Sequence, residues 1–495
     1  MTWQGNYAKL FIGGEWVDPL GSGMFAVHSP YSGELLATVP AGSEADIDRA
    51  VDTARAAFDE GPWPRLSLAE RKSVLARLGE LLIDNIDEFG TLISEEVGLP
   101  IAQSKPSQVG AAKAIIDTNL EVVDSYPWSQ LRRSALGNAL VERVPVGVVA
   151  AIVPWNAPLS VSMLKLAPAL LAGCTVILKP SPEAPLFSYY LAELAQRAGI
   201  PAGVLNIVTA DRAESEHLVV HPDVDKVSFT GSSAAGRRIA ALCGDRVRRY
   251  TLELGGKSAA IVLDDADLDQ AVTALRTLSF RYSGQACTNK TRVIVSRRRE
   301  AELVDKLAEA VRSLTWGDPL DGTTEIGPII TERQRDRIEQ YIESGRAQGA
   351  RVVVGGGRPE GQKDSLFIAP TLFAGVTNDM DIAREEIFGP VVAVIAVEDE
   401  DEAVAVANDS DYGLSGAVFG ADPRHALEVA RRIDTGSLEI NGASTGFKAA
   451  LGGFKLSGYG RESSFEGLDA FVEIKSYGVA GDLADALQAS TDTPV

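Results

Sequence analysis

Cysteine and histidine are scarce in this sequence of 495 residues. The three cysteines, Cys174, Cys243 and Cys287, are odd in number and widely spaced, which excludes a disulfide framework and indicates a reducing compartment. Of the four histidines, His217 and His221 have helical i,i+4 spacing, but no Glu or Cys ligand pattern surrounds them. We therefore expect both histidines at the surface, no metal site and a cytoplasmic location.

Positive charge is also in short supply. The chain has 47 Lys and Arg residues against 68 Asp and Glu, and its formal net charge is -21. Such a surface repels phosphate, so it excludes nucleic acid and anionic membrane as partners. The longest apolar run, Leu166 to Leu178, is too short to span a bilayer. Residues 1–6 lack the basic start and apolar core of a signal peptide, so we expect a soluble protein.

Regular alternation of strands and helices is the most abundant pattern in the chain. Apolar runs separated by helical segments begin at Val146, Thr175, Val204, Lys226 and Arg249, and a second series follows between residues 258 and 441. Continuous apolar strands between helices are typical of a parallel sheet covered on both faces. We therefore predict an α/β fold with two doubly wound, Rossmann-like domains.

Two further segments favour a small β element. Tyr126 to Val144 reads as a hairpin around Ala135–Gly137, and Leu468 to Tyr477 alternates apolar and polar residues like a strand. Such strands are marginal alone and gain stability by packing on something else, for example another subunit. Residues 481–495 are small, polar and acidic, and we expect them to be loosely ordered.

The residues that follow the predicted strands deserve inspection, because ligands of open α/β sheets bind beyond the carboxyl ends of the strands. Four short segments occupy such positions: Pro154-Trp155-Asn156, Lys179, Gly231-Ser232 and Glu253-Leu254-Gly255. Glycines there allow backbone N–H groups to approach a phosphate. The G-x-G-x-x-G fingerprint is absent, so the residues alone give only a weak dinucleotide signal.

Glu253 and Cys287 form a plausible base and nucleophile pair. A thiolate is a soft nucleophile, and a carboxylate within reach can take a proton from the thiol or from water. The alternative is structural, since a lone Cys is commonly a small buried hydrophobe and a Glu beside Gly-Gly is commonly a strand end.

Seven ordered motifs resemble the NAD(P)-dependent aldehyde dehydrogenase superfamily, and the resemblance extends from Leu10 to about Val479. The motifs are Pro154-Trp155-Asn156, Lys179-Pro180-Ser181, Phe229-Thr230-Gly231-Ser232, Leu252 to Ser258, Gly284 to Cys287, Glu385 to Pro390 and Gly452 to Glu462. The resemblance implies an NAD(P)-binding domain over residues 1–122 and 146–254, and a catalytic domain over 255–467. It also implies an oligomerisation element over 123–145 and 468–495, and hence a homodimer or homotetramer.

The resemblance also assigns roles to residues. Cys287 matches the nucleophile, Glu253 the general base, and Asn156 the donor that holds an oxyanion together with the Cys287 backbone N–H. The resemblance implies that Lys179 is both a catalytic residue and a cofactor-binding residue. The implied cofactor site consists of Val153, Pro154, Trp155, Lys179, Ser181, Gly231, Ser232, Leu254, Gly255, Glu386 and Phe388.

The implied reaction oxidises an aldehyde to a carboxylic acid through a thiohemiacetal and a thioester on Cys287. Three departures from the family pattern bear on specificity. Pro182 stands where many NAD-preferring members have Glu, so NAD is expected with NADP possible. Leu451 and Ala157 replace bulkier residues beside the substrate, which favours a medium to large apolar aldehyde. Two alternatives stay open: a coenzyme A-acylating semialdehyde dehydrogenase, and a non-catalytic structural or binding protein on this scaffold.

Overall fold

Strands and helices alternate along most of the chain in the computed structural model, which describes residues 5, 7–361 and 365–491. The strands of the first half are β1 (Leu10–Ile12), β2 (Glu15–Val17), β3 (Met24–His28), β4 (Leu35–Pro40), β5 (Ser129–Ser134), β6 (Gly137–Pro145), β7 (Val148–Ile152), β8 (Thr175–Lys179), β9 (Leu205–Ile207), β10 (Lys226–Thr230) and β11 (Arg249–Glu253). Those of the second half are β12 (Ser258–Val262), β13 (Lys290–Ser296), β14 (Arg351–Val354), β15 (Thr371–Ala374), β16 (Val391–Val397), β17 (Tyr412–Gly413), β18 (Ser415–Phe419), β19 (Ser437–Ile440), β20 (Phe454–Lys455), β21 (Gly458–Tyr459) and β22 (Val472–Val479).

The α-helices cover the sheets and connect their strands. Those before the middle of the chain are α1 (Glu44–Asp59), α2 (Leu68–Asp84), α3 (Ile86–Val97), α4 (Ile101–Ser104), α5 (Ala111–Ser125), α6 (Pro158–Ala172), α7 (Leu186–Ala198), α8 (Arg212–Val220) and α9 (Ser233–Asp245). The later ones are α10 (Leu268–Phe280), α11 (Glu300–Arg312), α12 (Glu332–Ala347), α13 (Asp381–Arg384), α14 (Glu400–Asn408), α15 (Pro423–Ala430), α16 (Ser464–Asp469) and α17 (Gly481–Thr491). A π-helical segment, Lys105–Gly110, joins α4 to α5. No helix in the described ranges is long and apolar enough to cross a membrane.

The first large sheet has eight strands in the order β2-β1-β9-β8-β7-β10-β11-β21. Its five central strands are parallel, and antiparallel neighbours close both edges. Along β7, Val149 and Ala151 face one hydrophobic core, and Val148 and Ala150 face another. Both faces are therefore covered, as the continuous apolar runs predict. The edge strand β21 comes from residues far along the chain, within the predicted catalytic segment.

The second large sheet has seven strands in the order β14-β15-β16-β13-β12-β18-β19. All neighbours are parallel except β14 and β15. Only four residues, Leu254–Lys257, separate the end of β11 from the start of β12. The carboxyl edge of the first sheet therefore faces the amino edge of the second. Cys287 precedes β13 and Glu386 precedes β16, which places both residues at that amino edge.

A separate three-stranded antiparallel sheet has the order β22-β6-β5. Its hairpin turns at Ala135 and Leu136, as expected. The predicted last strand begins later than expected, because Leu468 and Asp469 belong to α16. The expectation of loose order after residue 481 is wrong for Gly481–Thr491, which form α17 against β5 and β6. Residues 492–495 lie outside the described residues, as do residues 1–4 of the predicted cofactor domain.

The spacings of Ser43 with Asp46 and of Ser67 with Glu70 in the sequence predict two capping boxes, and both helix starts follow them, whereas one predicted helix end is wrong. Ser43 and Ser67 each form a capping box with the acidic residue three positions later, at the start of α1 and α2. A single long helix from Ser67 to Phe89 is the sequence prediction, but Asn85 leaves the helical conformation at φ −116° and ψ 28°. Its side chain donates to the Leu81 carbonyl and accepts from the Tyr190 hydroxyl, which separates α2 from α3.

The histidine and cysteine expectations have mixed outcomes. Cys174 and Cys243 are buried in apolar surroundings, and burial raises the pKa of each thiol to about 11. The prediction that His221 lies at the surface is wrong, because it is buried. It joins Asp52 and Asp223 in a cluster whose ligand atoms lie within 4.8 Å of one another. Since its Nδ1 accepts from the Asp223 N–H and its Nε2 lies 3.4 Å from Asp48, we assign no ion to this cluster.

Candidate active site

A cavity of about 350 Å³ lies where the two large sheets meet. Ten of the residues predicted for the site line it: Pro154, Trp155, Asn156, Gly231, Ser232, Leu254, Gly255, Cys287, Glu386 and Phe388. The other four, Val153, Lys179, Ser181 and Glu253, do not line it; each is buried. The fold therefore brings together residues that lie more than 200 positions apart in the sequence.

The loop that carries Cys287 is held in an uncommon backbone conformation. Tyr282 and Ser283 both have φ 56°, in the left-handed region. Gly284 also has positive φ, and a Cβ there would lie 2.0 Å from the Gly389 carbonyl carbon, so only glycine fits. The Gln285 carboxamide accepts from the Ile330 N–H at 3.1 Å, which ties the loop to the segment that leads into α12.

The Cys287 thiol is partly buried, and its surroundings oppose ionisation. Loss of solvent around the sulfur, together with the nearby carboxylates of Glu386 and Glu253, raises the pKa of Cys287 to about 12. Arg281 opposes this shift. The thiol is therefore neutral near pH 7 in the structure, and attack by the sulfur requires a group that removes its proton.

Asn156 stands at the turn from β7 into α6 and is buried. Its Nδ2 donates to the Gln285 carbonyl at 2.8 Å, which links it directly to the nucleophile loop. A primary carboxamide has two N–H donors, so the second can serve an oxygen bound in the cavity. Helix α6 begins with Pro158 at its first position, where a missing N–H costs nothing.

Glu253 ends β11 and is buried without lining the cavity. A Cβ on Gly452 would lie 2.7 Å from Glu253 Oε1, so the glycine makes room for the carboxylate. This oxygen is buried without a hydrogen-bond partner among the described residues. Burial, and then the charge of Glu462, raise the pKa of Glu253 well above its ordinary value.

Sequence reasoning missed a buried ion pair next to Glu253. Lys165 Nζ lies 2.5 Å from Glu462 Oε1 and donates to Thr230 Oγ1 at 2.8 Å. Both side chains of the pair are almost fully excluded from solvent. The available signal was a lysine within the otherwise apolar helix α6, because a buried lysine requires a partner.

Lys179 ends β8 and Ser181 lies two residues later, next to the carboxyl end of β7. Burial lowers the pKa of Lys179 to about 8, and the nearby charge of Glu183 opposes the shift. The Ser181 hydroxyl donates to Glu183, and Arg333 donates to the same carboxylate at 3.1 Å. Val153 donates its N–H to the Lys179 carbonyl at 3.1 Å, which fixes the two strand ends together.

Glu386 and Phe388 form the wall opposite the first sheet. The Gly256 N–H donates to Glu386 Oε1 at 3.0 Å, and a Cβ on Gly255 would lie 2.2 Å from Oε2. Loss of solvent raises the pKa of Glu386 to about 7. Phe388 packs edge-on against Trp155 with ring centroids 5.4 Å apart.

The arrangement fits a dinucleotide. Ser232 caps α9, its side chain accepting the Ala235 N–H at 3.3 Å, and the first residues of this thirteen-residue helix line the cavity. A helix N-terminus with free N–H groups favours a phosphate. Gly255 leaves Glu386 close to the cavity floor, where a carboxylate can accept hydrogen bonds from sugar hydroxyls.

Residues 16–477 match the aldehyde dehydrogenase family. The geranial dehydrogenase of Castellaniella defragrans is 43% identical over 477 residues, which cover 96% of this chain and 99% of the relative. The chain belongs to the aldehyde dehydrogenase family. The 3-succinoylsemialdehyde-pyridine dehydrogenase of a Pseudomonas species is 40% identical, with 95% of this chain and 98% of the relative covered.

Solved structures of aldehyde dehydrogenases have the same fold. An aldehyde dehydrogenase of Mycobacterium tuberculosis in complex with NAD+ superposes with a TM-score of 0.93 at 42% identity, covering 96% of this chain and 98% of that one. A mutant aldehyde dehydrogenase of Pseudomonas syringae in complex with NAD+ and octanal gives 0.92 at 40% identity, covering 95% and 96%. These similarities confirm the α/β fold and the family that the sequence motifs indicated.

Proposed function

We propose that the protein oxidises an aldehyde to the carboxylic acid, with NAD+ as the hydride acceptor and Cys287 as the nucleophile. The observation that carries this proposal is the cavity itself. It places the Cys287 thiol, the Asn156 carboxamide and the Glu386–Phe388 wall around one space at the junction of the two sheets. An intersheet cleft with a nucleophile and a hydrogen-bond donor suits carbonyl chemistry.

The side chains have separate tasks in this reaction. Cys287 loses its proton to Glu253, directly or through a water, and the sulfur bonds to the aldehyde carbon. The carbonyl oxygen becomes an anion that accepts hydrogen bonds from Asn156 Nδ2 and the Cys287 N–H. After hydride has left the carbon, the acyl group remains on sulfur as a thioester, and Glu253 releases the thiol proton to solvent so that it can act as a base again. Water attacks that carbon, Glu253 takes the water proton, and the acid leaves as the C–S bond breaks.

The cofactor would be held by both domains. Ser232 and the start of α9 would hold its pyrophosphate. Lys179 would bind one ribose, and Glu386, beside Phe388, would bind the second ribose. A bound nicotinamide supplies the hydride acceptor for the oxidation. NAD+ is favoured by the complexes of both solved relatives with NAD+, and by Glu183 beside Ser181, a negative charge unfavourable to a 2′-phosphate.

The proposed substrate is an apolar aldehyde of medium to large size. Ala157 and Leu451 stand where the family pattern has bulkier side chains, so we infer a wider substrate pocket than in members with those bulkier residues. The names of two relatives agree with this choice, since one acts on geranial and another binds octanal. A coenzyme A-acylating reaction and a non-catalytic role are less favoured, because Glu253, Cys287 and Asn156 are all retained.

We also propose a cytoplasmic homodimer or homotetramer. Free cysteines suit a reducing compartment, and the sheet of β5, β6 and β22 leaves apolar side chains such as Ile474 exposed.

The test is an aldehyde panel assayed with NAD+ and NADP+ by the absorbance of the reduced cofactor. Apolar aldehydes of increasing chain length, betaine aldehyde and an ω-carboxylated aldehyde should separate the substrate classes. We expect the highest kcat/KM with apolar aldehydes and NAD+. The Cys287→Ser variant should lose turnover yet still bind NAD+, because a serine hydroxyl is a far poorer nucleophile without a strong base. Turnover by this variant near the wild-type rate would refute the assignment.

A further inference from the structure

The nucleophile loop stores backbone strain just before Cys287. Tyr282 (φ 56°, ψ 37°) and Ser283 (φ 56°, ψ 36°) are consecutive non-glycine residues in the left-handed region. The left-handed region is strained for residues other than glycine, and such a conformation persists only where the surroundings impose it. The contacts around Tyr282 therefore decide the position of the loop that ends at Cys287.

The helical stretch before α5 provides two of these contacts. Gln103 accepts the Tyr282 N–H at 3.1 Å through its Oε1, and its Nε2 donates to the Glu325 carbonyl at 2.7 Å. Gln108 donates from Nε2 to the Tyr282 hydroxyl at 3.1 Å. Gln108 lies in the π-helical segment Lys105–Gly110, an irregularity that is frequent at functional sites because it redirects side chains.

Gln108 also reaches the opposite side of the site. Its Oε1 accepts from Ser160, at 3.4 Å from the backbone N–H and 3.3 Å from the hydroxyl. Ser160 lies in the first turn of α6, four residues after Asn156. Gln108 is completely buried, so no water competes for its carboxamide. One side chain thus joins the turn that carries Asn156 to the loop that carries Cys287.

We propose that Gln108 is a positioning residue that sets the separation between the Asn156 carboxamide and the Cys287 sulfur. The hydrogen bond from Asn156 to the Gln285 carbonyl forms the first bridge between these segments, and Ser160–Gln108–Tyr282 forms the second. Two bridges fix a relative orientation that one bond leaves free to rotate. The inference rests on the proposed roles of Cys287 and Asn156.

The test compares variants that remove the second bridge in different ways. Gln108→Met keeps the length of the side chain but removes its three hydrogen bonds, and Tyr282→Phe removes only the hydroxyl. Asn119→Leu is the matched control, because Asn119 is a buried amide in α5 whose side chain donates to the Ile115 carbonyl, away from the loop. Since a displacement of about 1 Å can cost roughly 10²-fold in rate, we expect Gln108→Met to lower kcat by about 10- to 100-fold.

Three further readouts separate positioning from loss of structure. The KM for NAD+ should change little, because Gln108 does not line the cofactor cavity. Tyr282→Phe should lower kcat less than Gln108→Met, and the double variant should be no slower than Gln108→Met alone, since both changes break one bridge. In the cofactor-free protein, Cys287 should react with iodoacetamide at least as fast as in the wild type, because a relaxed loop exposes the sulfur to water.

Several results would overturn the proposal. One is a kcat of Gln108→Met that equals that of Asn119→Leu, with both variants folded. Another is a double variant in which the losses of kcat caused by Gln108→Met and by Tyr282→Phe add together. If Gln108→Met does not fold, Tyr282→Phe with wild-type kcat overturns it equally. Turnover by Cys287→Ser would instead refute the proposed function, whereas intact turnover by the Gln108 and Tyr282 variants beside an inactive Cys287→Ser refutes only this inference.

Discussion

Cys287 is surrounded by groups that keep its thiol protonated. After burial, the carboxylate of Glu386 makes the largest contribution to the raised pKa of Cys287, ahead of Glu253. A neutral thiol resists alkylation and oxidation, since the thiolate is the reactive form. The same carboxylates that protect the sulfur are assigned to cofactor binding and to proton transfer, so protection and catalysis depend on the same residues.

Glu386→Gln should therefore make Cys287 more reactive in the absence of cofactor. Removal of a nearby negative charge stabilises the thiolate and lowers the pKa of Cys287, so alkylation by iodoacetamide at any pH below that pKa should accelerate. Glu385→Gln is the control, because Glu385 is the exposed neighbour and does not raise that pKa. The pH–rate profile of alkylation measures the shift. Equal profiles for wild type and Glu386→Gln would contradict the electrostatic explanation.

Glu253→Gln separates the two enzymatic hypotheses. Glutamine keeps the shape but cannot accept the water proton, so deacylation should slow by roughly 10²–10⁴-fold. We expect a burst of about one reduced cofactor per site, followed by slow turnover, with the acyl group on Cys287 found by mass spectrometry. A slower burst would show that Glu253 also deprotonates the thiol. Full steady-state turnover would remove Glu253 from the mechanism, and restoration of the wild-type rate by coenzyme A would favour the acylating alternative.

Pro182 and Glu183 bear on the choice between NAD+ and NADP+. Pro182 has no carboxylate, whereas Glu183 lies next to Ser181 and contacts Arg333. Pro182→Glu should raise the ratio of NAD+ to NADP+ efficiency, and Glu183→Gln should lower it. A free-energy difference of about 1.4 kcal/mol between the two cofactors corresponds to about a tenfold change in this efficiency ratio, and we expect changes of that order. Steady-state kinetics with both cofactors measure the ratio, and an unchanged or lowered ratio for Pro182→Glu would count against this interpretation.

The motif residues of the site were predictable, because each lies at a strand end or within a recognisable local pattern. Lys165 and Gln108 were not, and neither was the pairing of the motif residue Glu462 with Lys165. Lys165 and Glu462 stand 297 positions apart, and Gln108 and Tyr282 stand 174 apart, so no local pattern connects them. Their importance follows from burial and from contacts that only the folded chain creates.

Among the elements, central strands were predicted best. β8 and β16 coincide with the apolar runs Thr175–Lys179 and Val391–Val397 that predict them, because continuous apolar runs between helices leave little choice of register or state. Strand β15 was missed: it is only four residues long, and its identity comes from pairing with β14 and β16. Helix α17 was missed because its acidic, small residues suggested a tail, although it packs on the hairpin of β5 and β6.

The capping box at the start of α2 gives a prediction about the stability of this helix. Ser67→Ala should destabilise the first turn of the helix by about 1 kcal/mol, because the backbone N–H of Glu70 loses its acceptor. Hydrogen exchange of the first-turn amides should accelerate, while turnover stays unchanged. Ser73→Ala is the control, an exposed position inside the same helix where alanine favours helix. Equal exchange rates in Ser67→Ala and wild type would argue against a stabilising cap.

For the whole molecule, the end-to-end arrangement of the two sheets determines where chemistry occurs. At the junction, the carboxyl edge of the first sheet faces the amino edge of the second sheet. The segment Leu254–Lys257 connects the two sheets there. The sequence indicates both strand series but not their relative orientation, because that depends on contacts such as the pairing of β11 with β21. The carboxyl edge of the second sheet lies away from the cavity, so the chemistry is concentrated at one junction.

The sheet of β5, β6 and β22 is the feature from which we predict self-association. All eight residues of β22 pair with β6, but the other edge of β22 pairs with no strand in the part of the chain that the structure describes. Ile474 on this strand is 62% exposed, and the edge strand β19 of the second sheet is likewise open on one side. Open edges and exposed apolar side chains favour pairing with a second copy of the chain.

Light scattering at micromolar concentration should therefore report a multiple of the 52.5 kDa chain mass. Ile474→Asp should shift the distribution towards the monomer, because burying a carboxylate in an apolar contact is costly. Val247→Asp is the matched control, since Val247 is an exposed apolar residue outside this sheet, 94% accessible to solvent. A monomeric wild type would refute self-association. Equal effects of Ile474→Asp and Val247→Asp would place the contact elsewhere on the molecule.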